Sequence, residues 1–252
     1  MVITAEHLPP VFHDAPRPGV GLTLARPATV AASLAPAIAA VDDVELPWDA
    51  DFELPWDRKS TDRALATSAF LRDRSAFAID LMGTGKVGLS RALALADIAV
   101  REAYRRQMPP ALVLGVMLTE NDELKSTARS RQGAVGLMQI HPGPWRSSLG
   151  PLFGRNLRND TTNLRYGIFI LSHLARRVAA RTPSDSSTHW RTALLRYNGC
   201  FRGRNTRDCR RYPDIVRLEV QRSARTICAG RDFDRCVVTP LRVGVRKRAD
   251  GN

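Results

Sequence analysis

Cysteine is missing from this chain until Cys200, and the four it carries, Cys200, Cys209, Cys228 and Cys236, all fall in the last quarter. Long apolar runs are missing too. No stretch reaches the roughly 20 residues that a helix needs to cross a bilayer. Aromatic residues make up only 6% of the 252 positions. They do not interleave with basic side chains as base-stacking platforms do, so no specific nucleic-acid reader is expected. No segment alternates apolar and polar residues over several positions, so strands should be few. His173 and His189 lack companions at metal-ligand spacing, and neither a metal nor a cofactor is expected.

Acidic side chains are outnumbered, 25 against 38 basic, which leaves a net charge of +13. Such a chain is drawn to polyanions: nucleic acid, acidic lipid surfaces or the anionic polymers of a bacterial wall. Charge alone does not choose among them. The late cysteines form two close pairs, one across CFRGRNTRDC and one across CAGRDFDRC. Four cysteines allow three connectivities. Neighbour pairing, Cys200 with Cys209 and Cys228 with Cys236, is the simplest, and each short loop so closed would add roughly 2–3 kcal/mol. Free thiols and zinc are the alternatives, but the spacings match no common zinc finger and no histidine lies near. Disulfides imply an oxidising compartment.

Residues 1–60 are rich in proline and poor in amphipathic periodicity, which reads as a disordered leader or linker. Within it, Arg26 precedes PATVAASLAPAIAAVDD, a short Ala-rich stretch ending in small residues. It fits either a signal-like segment with cleavage near Ala39 or Ala40, or an Ala/Pro leader. ELPWD occurs twice, at 45–49 and 53–57, as a chance duplication or packing for the domain surface rather than a docking motif. Helical spacing then predicts helices over 61–82, 89–107, 111–120, 163–181, 190–197 and 212–226, the last opened by Pro213. Gly83-Thr84-Gly85-Lys86 lacks the glycine spacing and the preceding strand of a phosphate loop, and reads as a turn. The expected organisation is a mainly α domain over 61–230 with a short disulfide-stapled C-terminal part, and a basic tail over 231–252.

The segment 113–140, VLGVMLTENDELKSTARSRQGAVGLMQI, carries the chemistry. An apolar run ends on Glu120. A polar stretch with Ser130 follows, then Gly136-Leu137-Met138-Gln139, and far downstream Arg196-Tyr197-Asn198-Gly199. Burial at a helix end disfavours the charged carboxylate, and an acid so tuned can protonate a leaving oxygen. Glycoside cleavage usually takes two carboxylates across a cleft. Asp122 and Glu123 are the nearest others, and neither is naturally placed for that. Taken alone, Glu120 reads as a helix end facing water rather than as a catalytic acid.

The joint pattern resembles the catalytic domain of soluble lytic transglycosylases, of the goose-type-lysozyme-like superfamily. The resemblance lies in the helix ending at Thr119-Glu120, in Gly133-Ala134-Val135-Gly136-Leu137-Met138-Gln139-Ile140 with Pro142 and Trp145 after it, in Asn163-Leu164-Arg165-Tyr166-Gly167-Ile168, in Arg196-Tyr197-Asn198-Gly199, and in Tyr212-Pro213. It covers about 100–225. Two departures stand out: Asn121 replaces the usual serine, and the interval from Glu120 to Gly136 is one residue longer.

The resemblance implies a lysozyme-like fold and a lyase that cuts peptidoglycan glycan strands between N-acetylmuramic acid and N-acetylglucosamine. Glu120 would act as acid and then base, closing a 1,6-anhydro ring without water. Ser130, Met138, Gln139, Tyr197 and Asn198 would bind or orient the sugars. It further implies a monomeric, exported protein of the periplasm or envelope, with envelope-spanning assembly proteins as partners. A hydrolytic muramidase and a non-catalytic wall-binding assembly factor are the alternatives.

Overall fold

The computed structural model describes residues 65, 67–179, 186–200 and 207–237. The Ala-rich stretch, both ELPWD copies, the expected helix start at 61–64 and the basic end beyond 237 lie outside these residues. The described part is mainly α, as expected. Its helices are α1 (Ser68–Met82), α2 (Leu89–Arg105), α3 (Pro110–Glu120), α4 (Pro142–Phe153), α5 (Asp160–Ala179), α6 (Ser186–Tyr197), α7 (Arg207–Ser223), α8 (Arg225–Cys228) and α9 (Phe233–Cys236). Among the described residues there is no strand, only isolated bridges from Val135 to Arg129 and to Ile140.

Local chemistry sets the helix limits. The Thr67 hydroxyl accepts the Phe70 amide at 3.2 Å and opens α1, relieving one of the unpaired N–H groups of a helix start. Pro110 stands in the first turn of α3, where a missing N–H costs nothing. Every residue from 110 to 118 is buried, so α3 is the central helix. Around it, α2 offers a face of Ala92, Leu95, Ala96, Ala99, Val100 and Ala103 at spacings of three and four. Those small side chains let α2 pack closely between α1 and α5.

The contact between α3 and α7 brings two remote side chains together. Gly115 lies against Val216 and Val220, and a Cβ there would stand 2.3 Å from Val220 Cγ2. Without that atom the two backbones approach closely. Five residues after Gly115 comes Glu120, and four before Val216 comes Tyr212, so the helices run antiparallel and bring those two side chains together.

Buried charges are paired. Glu102 meets Arg106, Arg105 (3.2 Å) and Arg165 (3.3 Å). The Arg106 guanidinium sits over the rings of Phe153 and Phe169, at 5.5 and 5.8 Å. Asp80 accepts the backbone amides of Thr226 (2.9 Å) and Ile227 (3.0 Å), fastening α1 to the start of α8.

Two sequence expectations need correction. Pro213 does not open the last helix; it lies inside α7. A proline interrupts only one backbone hydrogen bond there, to the carbonyl four residues earlier. That carbonyl belongs to Cys209, which is tethered by its disulfide. Helix α4 was not expected at all. Its PGPW start reads as a loop, yet Trp145, Leu149 and Phe153 recur every four residues and are buried. The short disulfide-stapled part expected at the C-terminal end is present. Cys228 and Cys236 are bridged with Cα atoms 5.0 Å apart, and Phe233 and Val237 are buried beside them. The other bridge, Cys200–Cys209, has a Cα separation of 5.9 Å.

Candidate active site

Glu120 ends α3 half-buried. Its Oε1 accepts a 2.5 Å hydrogen bond from the hydroxyl of Tyr212, on the first half of α7. Tyr212 was not among the expected site residues. Its role depends on the close crossing that Gly115 permits, which a sequence separation of 92 residues does not reveal.

The next residue, Asn121, ties the helix end to the following loop. Its side-chain amide donates to the carbonyls of Lys125 (2.8 Å) and Gly136 (3.2 Å), while its oxygen accepts the Lys125 amide at 3.3 Å. Two donors and an acceptor are used together, which a serine hydroxyl could not match.

The Gly136 turn is built around Asn163 of α5. Gly136 has φ +82°, and a Cβ there would meet Asn163 Nδ2 at 2.3 Å and the Leu157 carbonyl at 2.8 Å, so glycine is required. Asn163 donates to the carbonyls of Val135 (2.8 Å) and Leu157 (2.9 Å) and accepts the Met138 amide at 2.7 Å. Gln139 adopts a left-handed φ of 44°, a strained conformation for a residue with a side chain. It is pinned by its own amide, which donates to the Gly136 carbonyl at 2.8 Å.

Each expected site residue has a definite place. The Tyr197 hydroxyl is buried and donates to the Met138 carbonyl at 2.9 Å, joining two motifs 59 residues apart. The Met138 side chain is fully buried against Gly167, so it is the Met138 main chain that reaches the site. Ser130 closes a small turn, its hydroxyl accepting the Ala134 amide at 3.1 Å and its own amide donating to the Ala134 carbonyl. Asn198 is buried, its amide nitrogen 3.9 Å from Cys200 Sγ; its side-chain oxygen has no partner among the described residues. Gln139, Ile140, His141, Trp145, Ile170 and Tyr197 line a groove. His141 bonds to the Gln132 carbonyl through Nε2 at 3.0 Å.

The electrostatics favour protonated phenols. Burial, and then the negative charge of Glu120, push the Tyr212 hydroxyl well above the usual tyrosine range. The same two causes, in the same order, raise Tyr197. A phenol that keeps its proton is a lasting donor to a carboxylate. Glu123 is committed elsewhere. It pairs with Lys86 at 2.5 Å, which holds its carboxyl below the usual range, and with Lys125 at 3.7 Å. Among the described residues no three His, Cys, Asp or Glu side chains gather as metal ligands do.

Residues 97–212 match the family model described as the Transglycosylase SLT domain. That span begins within α2 and ends at Tyr212, so it takes in every side chain of the site. No curated protein and no solved structure matches the chain.

Proposed function

We propose that this chain, whose residues 97–212 match the Transglycosylase SLT domain of lytic transglycosylases, cuts the bond between N-acetylmuramic acid and N-acetylglucosamine in peptidoglycan and releases 1,6-anhydro-muramoyl ends. The observation that carries the reading is the Glu120–Tyr212 bond at the end of a buried helix. It supports one carboxylate held in a fixed orientation, with Glu123 tied to Lys86 rather than offered as a second.

In this reading Glu120 protonates the glycosidic oxygen as the bond to the muramoyl C1 breaks. The substrate's N-acetyl carbonyl attacks C1 and holds the charge that a second carboxylate would otherwise balance. Glu120, now ionised, takes the proton of the muramoyl 6-hydroxyl as that oxygen closes onto C1. The N-acetyl group departs unchanged and no water enters. Tyr212 stabilises the ionised intermediate state of Glu120 by its charge-assisted bond. Ser130 contacts the N-acetyl group, while Gln139, Tyr197, Asn198 and the Met138 main chain hold the sugars.

Family members act on the cell wall, and among the described residues no helix is long and apolar enough to cross a membrane. We place the protein in the periplasm or envelope, exported, with residues 1–60 as leader or linker and a basic tail over 231–252. Digestion of purified sacculi tests the reading. Mass spectrometry should find muropeptide ends lighter by one water than hydrolytic ends, and Glu120→Gln should abolish their release. Reducing ends would establish a muramidase instead. Undiminished binding to sacculi with no turnover by the wild type would leave a wall-binding factor.

A further inference from the structure

We infer that the Cys200–Cys209 disulfide is a positioning device for catalysis: it clamps the ends of α6 and α7 that carry Tyr197 and Tyr212, and so keeps the Tyr212 hydroxyl on Glu120. This deepens the proposed reaction and rests on it.

Both ends of the clamp are fixed by local structure. Helix α6 stops at Gly199, in the left-handed region at φ +78°. The Gly199 amide bonds to the Arg196 carbonyl (3.1 Å) and the Cys200 amide to the Leu195 carbonyl (2.8 Å). This paired closure fixes Cys200 directly behind Tyr197 and Asn198. On the other side, Cys209 lies three residues before Tyr212 on α7, and residues at that spacing share a helix face. The sulfur bridge therefore joins the two helix ends whose phenols both feel the charge of Glu120.

The bridge holds α7 at Cys209, one turn ahead of the internal Pro213, which has no N–H to add to the helix just after Tyr212. The Cys228–Cys236 bridge closes a turn around α9 and joins neither phenol-bearing end, which makes it the natural control. Closing the clamp oxidises two thiols to one disulfide. The two electrons and two protons pass to a second disulfide, of a thiol oxidant, which becomes a dithiol. Full activity thus requires oxidation, and the clamp couples the enzyme to an oxidising compartment.

The experiment compares wild type, Cys200→Ala/Cys209→Ala, Tyr212→Phe, the combination of the three changes, and Cys228→Ala/Cys236→Ala. Turnover on sacculi is measured together with the ionisation of Tyr212 by NMR of ring-labelled tyrosine, read on the folded protein without substrate. Glu120 from α3 and Tyr197 from α6 are the charged or titratable groups whose influence holds Tyr212 up.

Losing the clamp should lower kcat by about 10- to 100-fold with little change in KM, as expected for a lost charge-assisted bond. It should also bring the ionisation of Tyr212 back toward the ordinary range. Adding it to Tyr212→Phe should cost nothing further, and the control pair should keep wild-type turnover. Wild-type turnover and Tyr212 ionisation in the clampless variant, or losses that multiply in the combination, would overturn the inference. If the wild type leaves sacculi intact, the proposed reaction fails while the tyrosine titration still decides the clamp. Should the clampless variant not fold, reduction and reoxidation of the Cys228→Ala/Cys236→Ala protein gives the same two readouts.

Discussion

The hydroxyl of Tyr212 donates to Oε1 of Glu120 at 2.5 Å, and it does so because Gly115 lets α7 lie directly on α3. Two residues remote in sequence thus share one short hydrogen bond. Tyr212→Phe removes the donor and little else, since the ring keeps its buried place. The expected outcome is a fall in kcat of about 10- to 100-fold with KM unchanged. Steady-state kinetics on sacculi, with thermal melts to show an intact fold, measures it.

Gly115→Ala tests the crossing itself. The added methyl would stand 2.3 Å from Val220 Cγ2 and 3.3 Å from the Val216 carbonyl, so α7 must move away. Overpacking of this kind costs about 1–3 kcal/mol. Stability in urea should fall by that amount. Turnover should fall as well, because Tyr212 leaves with its helix. Gly115→Ala/Val220→Ala makes room for the methyl and should recover part of both.

Tyr197→Phe gives the opposite pattern. The Tyr197 hydroxyl serves the Met138 carbonyl, not Glu120, and the change leaves that buried carbonyl without its donor. A loss of about 1–3 kcal/mol in unfolding free energy is expected. Chemical denaturation should therefore show a larger stability effect for Tyr197→Phe than for Tyr212→Phe, whose carboxylate partner is half-buried.

All four tyrosines of the chain, Tyr104, Tyr166, Tyr197 and Tyr212, are raised above their ordinary pKa of 10.0, each chiefly by burial. A phenol with a raised folded pKa holds its proton more tightly when folded. Its contribution to stability is intact below about pH 10 and is lost as pH climbs from there toward the folded values. Tyrosinate absorbance should stay absent beyond pH 10 and then appear together with unfolding. A gradual titration of exposed phenols at pH 10, with the far-UV signal unchanged, would be the contrary result.

Several of these elements were legible in the sequence because a local rule fixed them. A proline followed by an unbroken apolar run gave α3 and placed Glu120 at its end. Asn198-Gly199 gave the end of α6, since a left-handed closure needs glycine. The close spacing of the cysteines favoured neighbour pairs, and both are bridged. What stayed hidden depends on packing. Helix α4 is written in residues that favour loops and holds together through Trp145, Leu149 and Phe153. The pairing of the phenols, Tyr212 with Glu120 and Tyr197 with Met138, follows from a helix crossing. Asn121, a departure from the usual serine, anchors Gly136, a bond that only the fold discloses.

We propose that one carboxylate, Glu120, cleaves the glycan by internal ring closure. Digestion of sacculi in heavy-oxygen water decides this. The new muramoyl ends should carry no heavy oxygen and weigh one water less than reducing ends. Incorporation of one heavy oxygen at each new muramoyl end would contradict it.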